Sequence, residues 1–158
     1  MIIIGYQGIG KSTLAGKMRC IDLESTNFYL DGQRQDDWYR IYGNIALDIS
    51  GQGYTVLSPT HAVLRQYLHD RNSSGEAIYV CHPSLSLKNE WITRLRDRYG
   101  SVPSDKNFRA LHNAIERYDD NIREIMDDAA KFGWGTLLIS SMDYSLEEMV
   151  RNLTRDQK

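Results

Sequence analysis

The eight residues from Gly5 to Ser12 constrain this chain more than any other segment. They satisfy the pattern G-x-x-x-x-G-K-[ST]. A β-branched apolar run precedes them and good helix formers follow over residues 12–19, so the motif lies between a predicted strand and a predicted helix. Glycines allow such a loop to direct successive backbone N–H groups toward a polyphosphate. The motif therefore predicts a phosphate-binding loop.

The rest of the chain alternates predicted strands with predicted helices. After a first strand over residues 1–4, apolar stretches predict strands over 20–23, 54–57, 77–81 and 135–140. Helical spacing of apolar residues predicts helices over 36–49, 62–69, 87–99, 106–131 and 145–153. Strands separated by helices indicate a parallel sheet. We therefore expect one three-layer α/β domain over residues 1–158, with five parallel strands.

Composition narrows the setting of this domain. The 158 residues include 19 Lys plus Arg against 21 Asp plus Glu, a net charge of −2, so any affinity for phosphate must come from a local cluster and nucleic-acid binding is disfavoured. No apolar run approaches the roughly 20 residues that cross a bilayer. The apolar run of the opening residues is too short for a signal peptide, which predicts an intracellular protein with no membrane partner. Cys20 and Cys81 lie far apart in the sequence, which predicts two buried, reduced thiols.

The loop and the order of elements after it resemble the nucleoside monophosphate kinase branch of the P-loop proteins, which contains adenylate kinase and the shikimate and gluconate kinases. Segments 21–28, 37–39 and 83–88 resemble small nucleotide kinases carried by bacteriophages. The resemblance implies a P-loop kinase fold with sheet order 2-3-1-4-5, counted over the five predicted strands, and a short arginine-bearing lid near residues 85–105. It also implies a cytoplasmic enzyme, in the host cytoplasm if a phage encodes it.

Other P-loop classes fit less well. A GTPase is expected to carry an Asn-Lys-x-Asp signature, which this chain lacks. An ATPase of the AAA class needs a longer core and a helical lid domain, which 158 residues hardly accommodate. A small kinase using ATP and Mg²⁺ remains the best class.

The kinase hypothesis assigns roles to particular residues. The loop residues expected at the nucleotide are Gly5, Gly8, Ile9, Gly10, Lys11, Ser12 and Thr13. Lys11 is expected to reach the β- and γ-phosphates, and the Ser12 hydroxyl to hold Mg²⁺. Asp22, near the end of the second strand, is expected to support the metal or orient the acceptor; the alternative is an exposed or capping carboxylate. In the adenylate kinase pattern an aspartate stands at the end of the third strand. This chain departs from that pattern, because residues 58–61 are Ser-Pro-Thr-His.

The resemblance also suggests arginines for the acceptor and for the lid. Arg40 and Arg65 occupy positions suited to an acceptor phosphate, which a guanidinium can bind bidentately. Arg94 and Arg98 are four residues apart and share a helical face, so they are candidates to close over ATP. Solvated surface arginines are the alternative in each case. His61 is a weaker candidate for a general base, because a single histidine after a strand is more often a packing or capping residue.

These assignments predict transfer of the γ-phosphoryl group of ATP to a nucleoside or deoxynucleoside monophosphate. Two alternatives stay open: a kinase of another hydroxyl acceptor, such as a modified base in DNA or a small metabolite, and a non-catalytic ATP-binding switch module. The sequence specifies neither the base, nor the sugar, nor the oligomeric state.

Overall fold

The computed structural model describes residues 1–156; residues 157–158 of the predicted domain lie outside that range. Seven strands occur in the described chain: β1 (Ile2–Gly5), β2 (Cys20–Asp22), β3 (Tyr29–Leu30), β4 (Gln33–Arg34), β5 (Thr55–Ser58), β6 (Ile78–Pro83) and β7 (Gly135–Ile139). Five of them form an all-parallel sheet in the order β2-β5-β1-β6-β7. Counted over the five predicted strands this is 2-3-1-4-5, so the expected sheet is confirmed.

Six helices flank the sheet and complete the three-layer α/β fold. They are α1 (Lys11–Leu14), α2 (Trp38–Gly51), α3 (Ala62–Arg71), α4 (Lys88–Ser101), α5 (Asp105–Phe132) and α6 (Leu146–Asp156). Short 3-10 turns over Ser25–Phe28 and Leu85–Leu87 precede β3 and α4. Across residues 1–156, none of the helices combines the length and the apolar character needed to cross a membrane.

The central strands form the core because both of their faces are covered. Every residue of β1 and β5 is buried, which explains the uninterrupted apolar run of β1, whereas β5 buries Thr55 and Ser58 at its two ends. Ile3 pairs with Leu57 on one side and with Tyr79 on the other. Cys20 on β2 and Cys81 on β6 are free thiols, 2% and 0% exposed, as predicted. Burial raises the pKa of Cys81 to about 12.

The helix after the loop is much shorter than predicted. The sequence predicts a helix over residues 12–19, but α1 ends at Leu14 and Ala15 is already extended. Gly16, Met18 and Arg19 all have positive φ angles, of 78°, 52° and 57°. These conformations reverse the chain so that β2 can begin at Cys20. Tertiary structure here overrides the helix propensity of the lysine, methionine and arginine.

A two-stranded hairpin that the sequence analysis did not predict lies between β2 and α2. Strands β3 and β4 are antiparallel, with Tyr29 opposite Arg34 and Leu30 opposite Gln33. Their two-residue turn is Asp31-Gly32, with φ angles of 50° and 76°. Positive φ at both positions is the geometry of a type I′ turn, for which Asp-Gly is a preferred sequence.

Candidate functional site

The carboxyl ends of β1, β2 and β5 open into a cleft of about 730 Å³. Open parallel sheets bind their ligands at this edge. The phosphate loop forms the floor of the cleft, the β3–β4 hairpin and residues 59–65 form one wall, and α4 and α5 contribute the other. All the loop residues predicted to bind nucleotide line the cleft except Ile9, whose side chain is buried beneath it.

The loop presents a run of unengaged backbone donors. In the described chain, the N–H groups of residues 7–12 donate no hydrogen bond of normal geometry to another protein group. Gly8 and Gly10 have φ angles of 84° and 102°, conformations that glycine adopts without a steric penalty. Successive free N–H groups in a tight loop form a concave anion-binding nest. The geometry is therefore suited to phosphate oxygens.

Lys11 lies within this nest. Its Nζ donates to the carbonyl oxygen of Gly5 at 2.8 Å. Burial lowers the pKa of Lys11 to about 8, although the negative charges of Asp22 and Glu24 oppose the shift. No carboxylate forms an ion pair with Lys11 in the part of the chain that the structure describes. An anionic ligand would supply the missing partner.

The back of the loop is held by side chains from α4 and from the segment before α6. The Trp91 indole donates to the Gln7 carbonyl at 2.8 Å, and Nη1 of Arg94 lies 3.4 Å from the carbonyl oxygen of Gly8. The Tyr144 hydroxyl donates to the Ile9 carbonyl at 2.7 Å. The carbonyl side of the loop is thus occupied by protein, while its N–H side is free.

The cleft contains oxygen ligands of the kind that Mg²⁺ prefers. They belong to Ser12, Asp22 and Glu24. All three line the cleft, and Asp22 ends β2 as the sequence analysis predicted. Burial and then the neighbouring charge of Glu24 raise the pKa of Asp22. Between residues 1 and 156, no group of three or more His, Cys, Asp or Glu side chains is arranged to hold a metal. This set fits Mg²⁺, which commonly binds one or two carboxylates together with waters and substrate phosphates.

The cleft is strongly positive although the chain as a whole is negative. Its lining contains eight cationic side chains and three acidic ones. The cations are Lys11, Arg34, Arg65, Arg94, Arg98, Lys106, Arg109 and Arg117. Ion pairs engage three of them: Arg65 with Asp128 at 2.7 Å, Lys106 with Glu24 at 2.5 Å, and Arg117 with Glu124 at 3.1 Å. The other five have no ion-pair partner among residues 1–156, which favours a polyanionic ligand.

The predicted lid segment is a helix that packs directly on the loop. A Cβ atom added to Gly8 would lie 3.0 Å from Cδ2 of Leu95 and 3.4 Å from Nε1 of Trp91, so α4 approaches the loop closely. Arg94 and Arg98, the two arginines predicted for the lid, both line the cleft. Arg94 is bound behind the loop, whereas Arg98 has no ion pair in the described chain. Movement of this segment as a lid stays a prediction.

The two arginines predicted for an acceptor phosphate have different positions. Arg65 is 3% exposed, and its guanidinium donates to Asp128 and to the carbonyl of Thr60. It lines the cleft, but two of its donors are already engaged. Arg40 is exposed on α2, and its described contact is with the neighbouring Tyr39. Arg40 is absent from the cleft lining, so the structure does not bring it into the site.

Arg34, which the sequence analysis missed, lies in the cleft instead. Its guanidinium is 4.5 Å from the ring centroid of Trp38 and 5.3 Å from that of Tyr29. Nη2 donates weakly to Ser25 Oγ at 3.3 Å, and Nε is buried without a partner. No carboxylate neutralises Arg34 in the described residues. The Asp31-Gly32 turn signal could have located it, because that turn places β4 beside β3.

His61 packs between these charges and is neutral. Its ring meets Trp38 edge to face at 4.9 Å between centroids, and its Nε2 is 3.4 Å from Nη1 of Arg34. Burial, followed by the charges of Arg34 and Arg65, lowers the pKa of His61 to about 4. A histidine with that pKa is a weak base at neutral pH, which favours the packing role over general-base catalysis.

One face of α5 completes the cleft. Arg109, Asn113, Arg117 and Asn121 occur every four residues and all line it. The helix is kinked at Arg117, where φ is −139° and ψ is 21°. Gln7 ties the loop to this helix, because its side-chain amide donates to the Ala110 carbonyl at 2.7 Å.

No protein-family model matches the chain, and none of the curated proteins is significantly similar to it in sequence. Its function is therefore argued from the geometry of the site.

Proposed function

We propose that this chain is an ATP-dependent phosphotransferase of the P-loop nucleotide kinase type, which transfers the γ-phosphoryl group to a nucleoside or deoxynucleoside monophosphate. The proposal is carried by one observation: at the carboxyl edge of the sheet, the N–H groups of residues 7–12 donate no hydrogen bond of normal geometry to another protein group, and the half-buried Lys11 among them has no ion-pair partner among residues 1–156. The resemblance to nucleoside monophosphate kinases supports the same class and a cytoplasmic setting.

The loop and Lys11 bind the donor. The N–H groups hold the β- and γ-phosphate oxygens, and the phosphate charge raises the pKa of Lys11 from about 8, so that the ammonium stays protonated at neutral pH. Ser12 and Asp22 are the residues that would hold Mg²⁺. When bound, that ion supplies neutralisation of the charge on the β- and γ-oxygens. Arg98, which lines the cleft and has no ion-pair partner among residues 1–156, balances charge on the transferring group.

The acceptor binds against Arg34 and α5. Its phosphate oxygen forms a bond to the γ-phosphorus while the bond from that phosphorus to the β–γ bridging oxygen breaks, which yields ADP and a nucleoside diphosphate. The attacking oxygen of a monophosphate is already ionised at neutral pH, so this reaction requires no strong general base. The low pKa of His61 is compatible with such an acceptor.

A kinase of another hydroxyl acceptor is the second candidate. A hydroxyl group must lose a proton as it attacks, and Asp22, whose pKa is raised by burial, lies in the cleft and would accept that proton. The engagement of Arg65 by Asp128 also leaves fewer guanidinium groups for an acceptor phosphate.

The test is ADP formation from ATP and Mg²⁺ with a panel of acceptors: ribo- and deoxyribonucleoside monophosphates, nucleosides and single-stranded DNA. We expect turnover with one or more monophosphates and a loss of roughly 10²- to 10³-fold in Lys11→Met. Lys17→Met is the matched control, because Lys17 is 56% exposed and lies outside the cleft.

The acceptor panel separates the candidates. Conversion of a nucleoside or of DNA, without conversion of monophosphates, supports the second candidate. ATP binding without stimulation by any acceptor overturns both and leaves the ATP-binding switch module.

A further inference from the structure

Three consecutive carbonyl groups of the phosphate loop accept hydrogen bonds from three side chains. The donors are Trp91 to Gln7 at 2.8 Å, Arg94 to Gly8 at 3.4 Å and Tyr144 to Ile9 at 2.7 Å. Trp91 and Arg94 belong to α4, whereas Tyr144 precedes α6. The three donors therefore come from two separate parts of the fold and meet on one short stretch of backbone.

Peptide geometry relates these carbonyls to the phosphate-binding side. None of the described peptide bonds is cis, and in a trans peptide the C=O and N–H point in opposite directions. The peptides that contain the carbonyls of residues 7, 8 and 9 also contain the N–H groups of residues 8, 9 and 10. Holding the carbonyls toward these three side chains directs the N–H groups of the same peptides to the opposite side of the loop. A hydrogen bond to the carbonyl also polarises the N–H of the same peptide.

The donors support one another. The guanidinium of Arg94 lies 5.0 Å from the Trp91 ring centroid and 5.3 Å from that of Tyr144, and the two rings are stacked at 6.1 Å. Nη1 of Arg94 also donates to the Tyr144 hydroxyl at 2.7 Å. The guanidinium thus lies beside both rings and donates to one of their hydroxyl groups, which fixes its position. In the described chain it has no carboxylate partner that would draw it elsewhere.

The short first helix contributes little to fixing the conformation of the loop. α1 has four residues, and a single turn has little macrodipole or cooperative stability with which to fix the loop before it. The external donors hold the loop at the point where the helix contributes least.

We propose that Trp91, Arg94 and Tyr144 are positioning residues, a carbonyl clamp that preorganises the phosphate loop for a polyphosphate. This inference rests on the proposed function and deepens it. It assigns Arg94 a role behind the loop, in place of the predicted swing onto ATP.

Tyr144→Phe tests the clamp, because it removes the hydroxyl that bonds both Ile9 and Arg94 and keeps the ring. We expect binding of inorganic tripolyphosphate, measured by calorimetry, to weaken about 5- to 10-fold. Backbone ¹⁵N order parameters of residues 8–10 in the ligand-free protein should fall. Tyr67→Phe is the matched control: it removes a hydroxyl bonded to Asn44 at 2.9 Å, outside the cleft, and should leave both measurements unchanged.

A double-mutant cycle with Arg94→Met separates positioning from direct catalysis. If Arg94 acts through the clamp, Arg94→Met weakens tripolyphosphate binding, and adding Tyr144→Phe weakens it by less than the product of the two single effects. Arg94→Lys should restore little, since an ammonium cannot reproduce a planar group that contacts both rings and donates to the Gly8 carbonyl and the Tyr144 hydroxyl together. A loss confined to kcat, restored by Arg94→Lys, would instead identify a charge acting on the transferring phosphoryl group and overturn the clamp.

The two proposals can fail separately. Wild-type protein that does not bind tripolyphosphate overturns the proposed function, and this inference with it. Wild-type binding and loop order that Tyr144→Phe leaves unchanged overturn the inference alone.

Discussion

Arg34 and Arg65 line the same cleft but differ in what already binds them. Arg65 is buried and donates to a carboxylate and to a backbone carbonyl. Arg34 has two aromatic rings beside it, weak hydrogen bonds to hydroxyl groups and one buried nitrogen without a partner. Both residues bring positive charge to the site, but Arg65 is already paired with a carboxylate, whereas Arg34 has no ion-pair partner among residues 1–156. A cleft-lining arginine is therefore a candidate ligand-binding residue to the extent that its guanidinium is free.

The largest effect on stability is expected at Arg65. Arg65→Ala leaves the Asp128 carboxylate and the Thr60 carbonyl without their donor, and should lower the free energy of unfolding by about 3 kcal/mol. Urea denaturation at pH 7 measures this change. Arg71→Ala, exposed on the same helix, should change stability by less than about 0.5 kcal/mol. If Arg65→Ala is as stable as wild type, the hydrogen bonds of the Arg65 guanidinium do not stabilise the fold.

Arg34 should instead dominate acceptor binding. Arg34→Ala is expected to raise the KM for the monophosphate about 10- to 100-fold, because a charge-assisted pair with the acceptor phosphate is lost, while kcat changes less. Steady-state kinetics at saturating ATP measure both. Arg34→Lys keeps the charge without the planar guanidinium, so its KM should lie between those of wild type and Arg34→Ala. An unchanged KM in Arg34→Ala would remove the distinction drawn between the two arginines.

The pH dependence of stability tests the burial of His61 and, after it, the effect of the two arginines beside it. The pKa of His61 is about 4 in the folded protein, below its ordinary value of 6.5, so the unfolded chain binds the proton more readily in this interval. His61 therefore contributes stability above pH 6.5 that is lost as the pH falls toward 4. Denaturation at several pH values should show wild type losing about 2 kcal/mol more than His61→Gln across this window. Parallel profiles would contradict the shift.

Arg40 should have the smallest effect. Because it lies outside the cleft, Arg40→Ala is expected to change the acceptor KM less than about twofold and stability by less than about 0.5 kcal/mol. The same kinetic assay measures the KM. A rise comparable to that in Arg34→Ala would restore the acceptor role that the sequence suggests.

The sheet could be predicted because its physics is local in the sequence. Central parallel strands such as β1 are buried on both faces, so they form continuous apolar runs, and the helices between them require parallel connections. The hairpin was missed because two-residue strands carry almost no periodic signal, although Asp31-Gly32 marked its turn. The first helix was predicted too long, since Gly16, Met18 and Arg19 have positive φ angles, which the helix propensities of the segment do not indicate.

The positions of site residues could be predicted where a sequence motif fixes the backbone. They were harder to predict on helices, where the rotation of the helix determines which side chains face the cleft. The loop and Asp22 reach the cleft because a motif and a strand end place them there, and Arg98 reaches it from α4. Arg40 does not, and the reason is helical phase: Trp38 and Tyr42 are buried, and a residue two positions from each lies roughly 200° around the helix. The burial of Trp38 indicates which face of α2 is directed inward, and therefore that Arg40 is directed away from it.

The two cysteines provide built-in probes of how the sheet opens. Cys20 lies on the edge strand β2 and Cys81 on the interior strand β6, and both thiols are buried, with their pKa values raised by burial. A buried thiol of high pKa is protected from alkylation until its surroundings open. The alkylation rates of the two sulfur atoms in dilute denaturant thus compare local opening at the rim of the sheet with opening at its centre, without any added label.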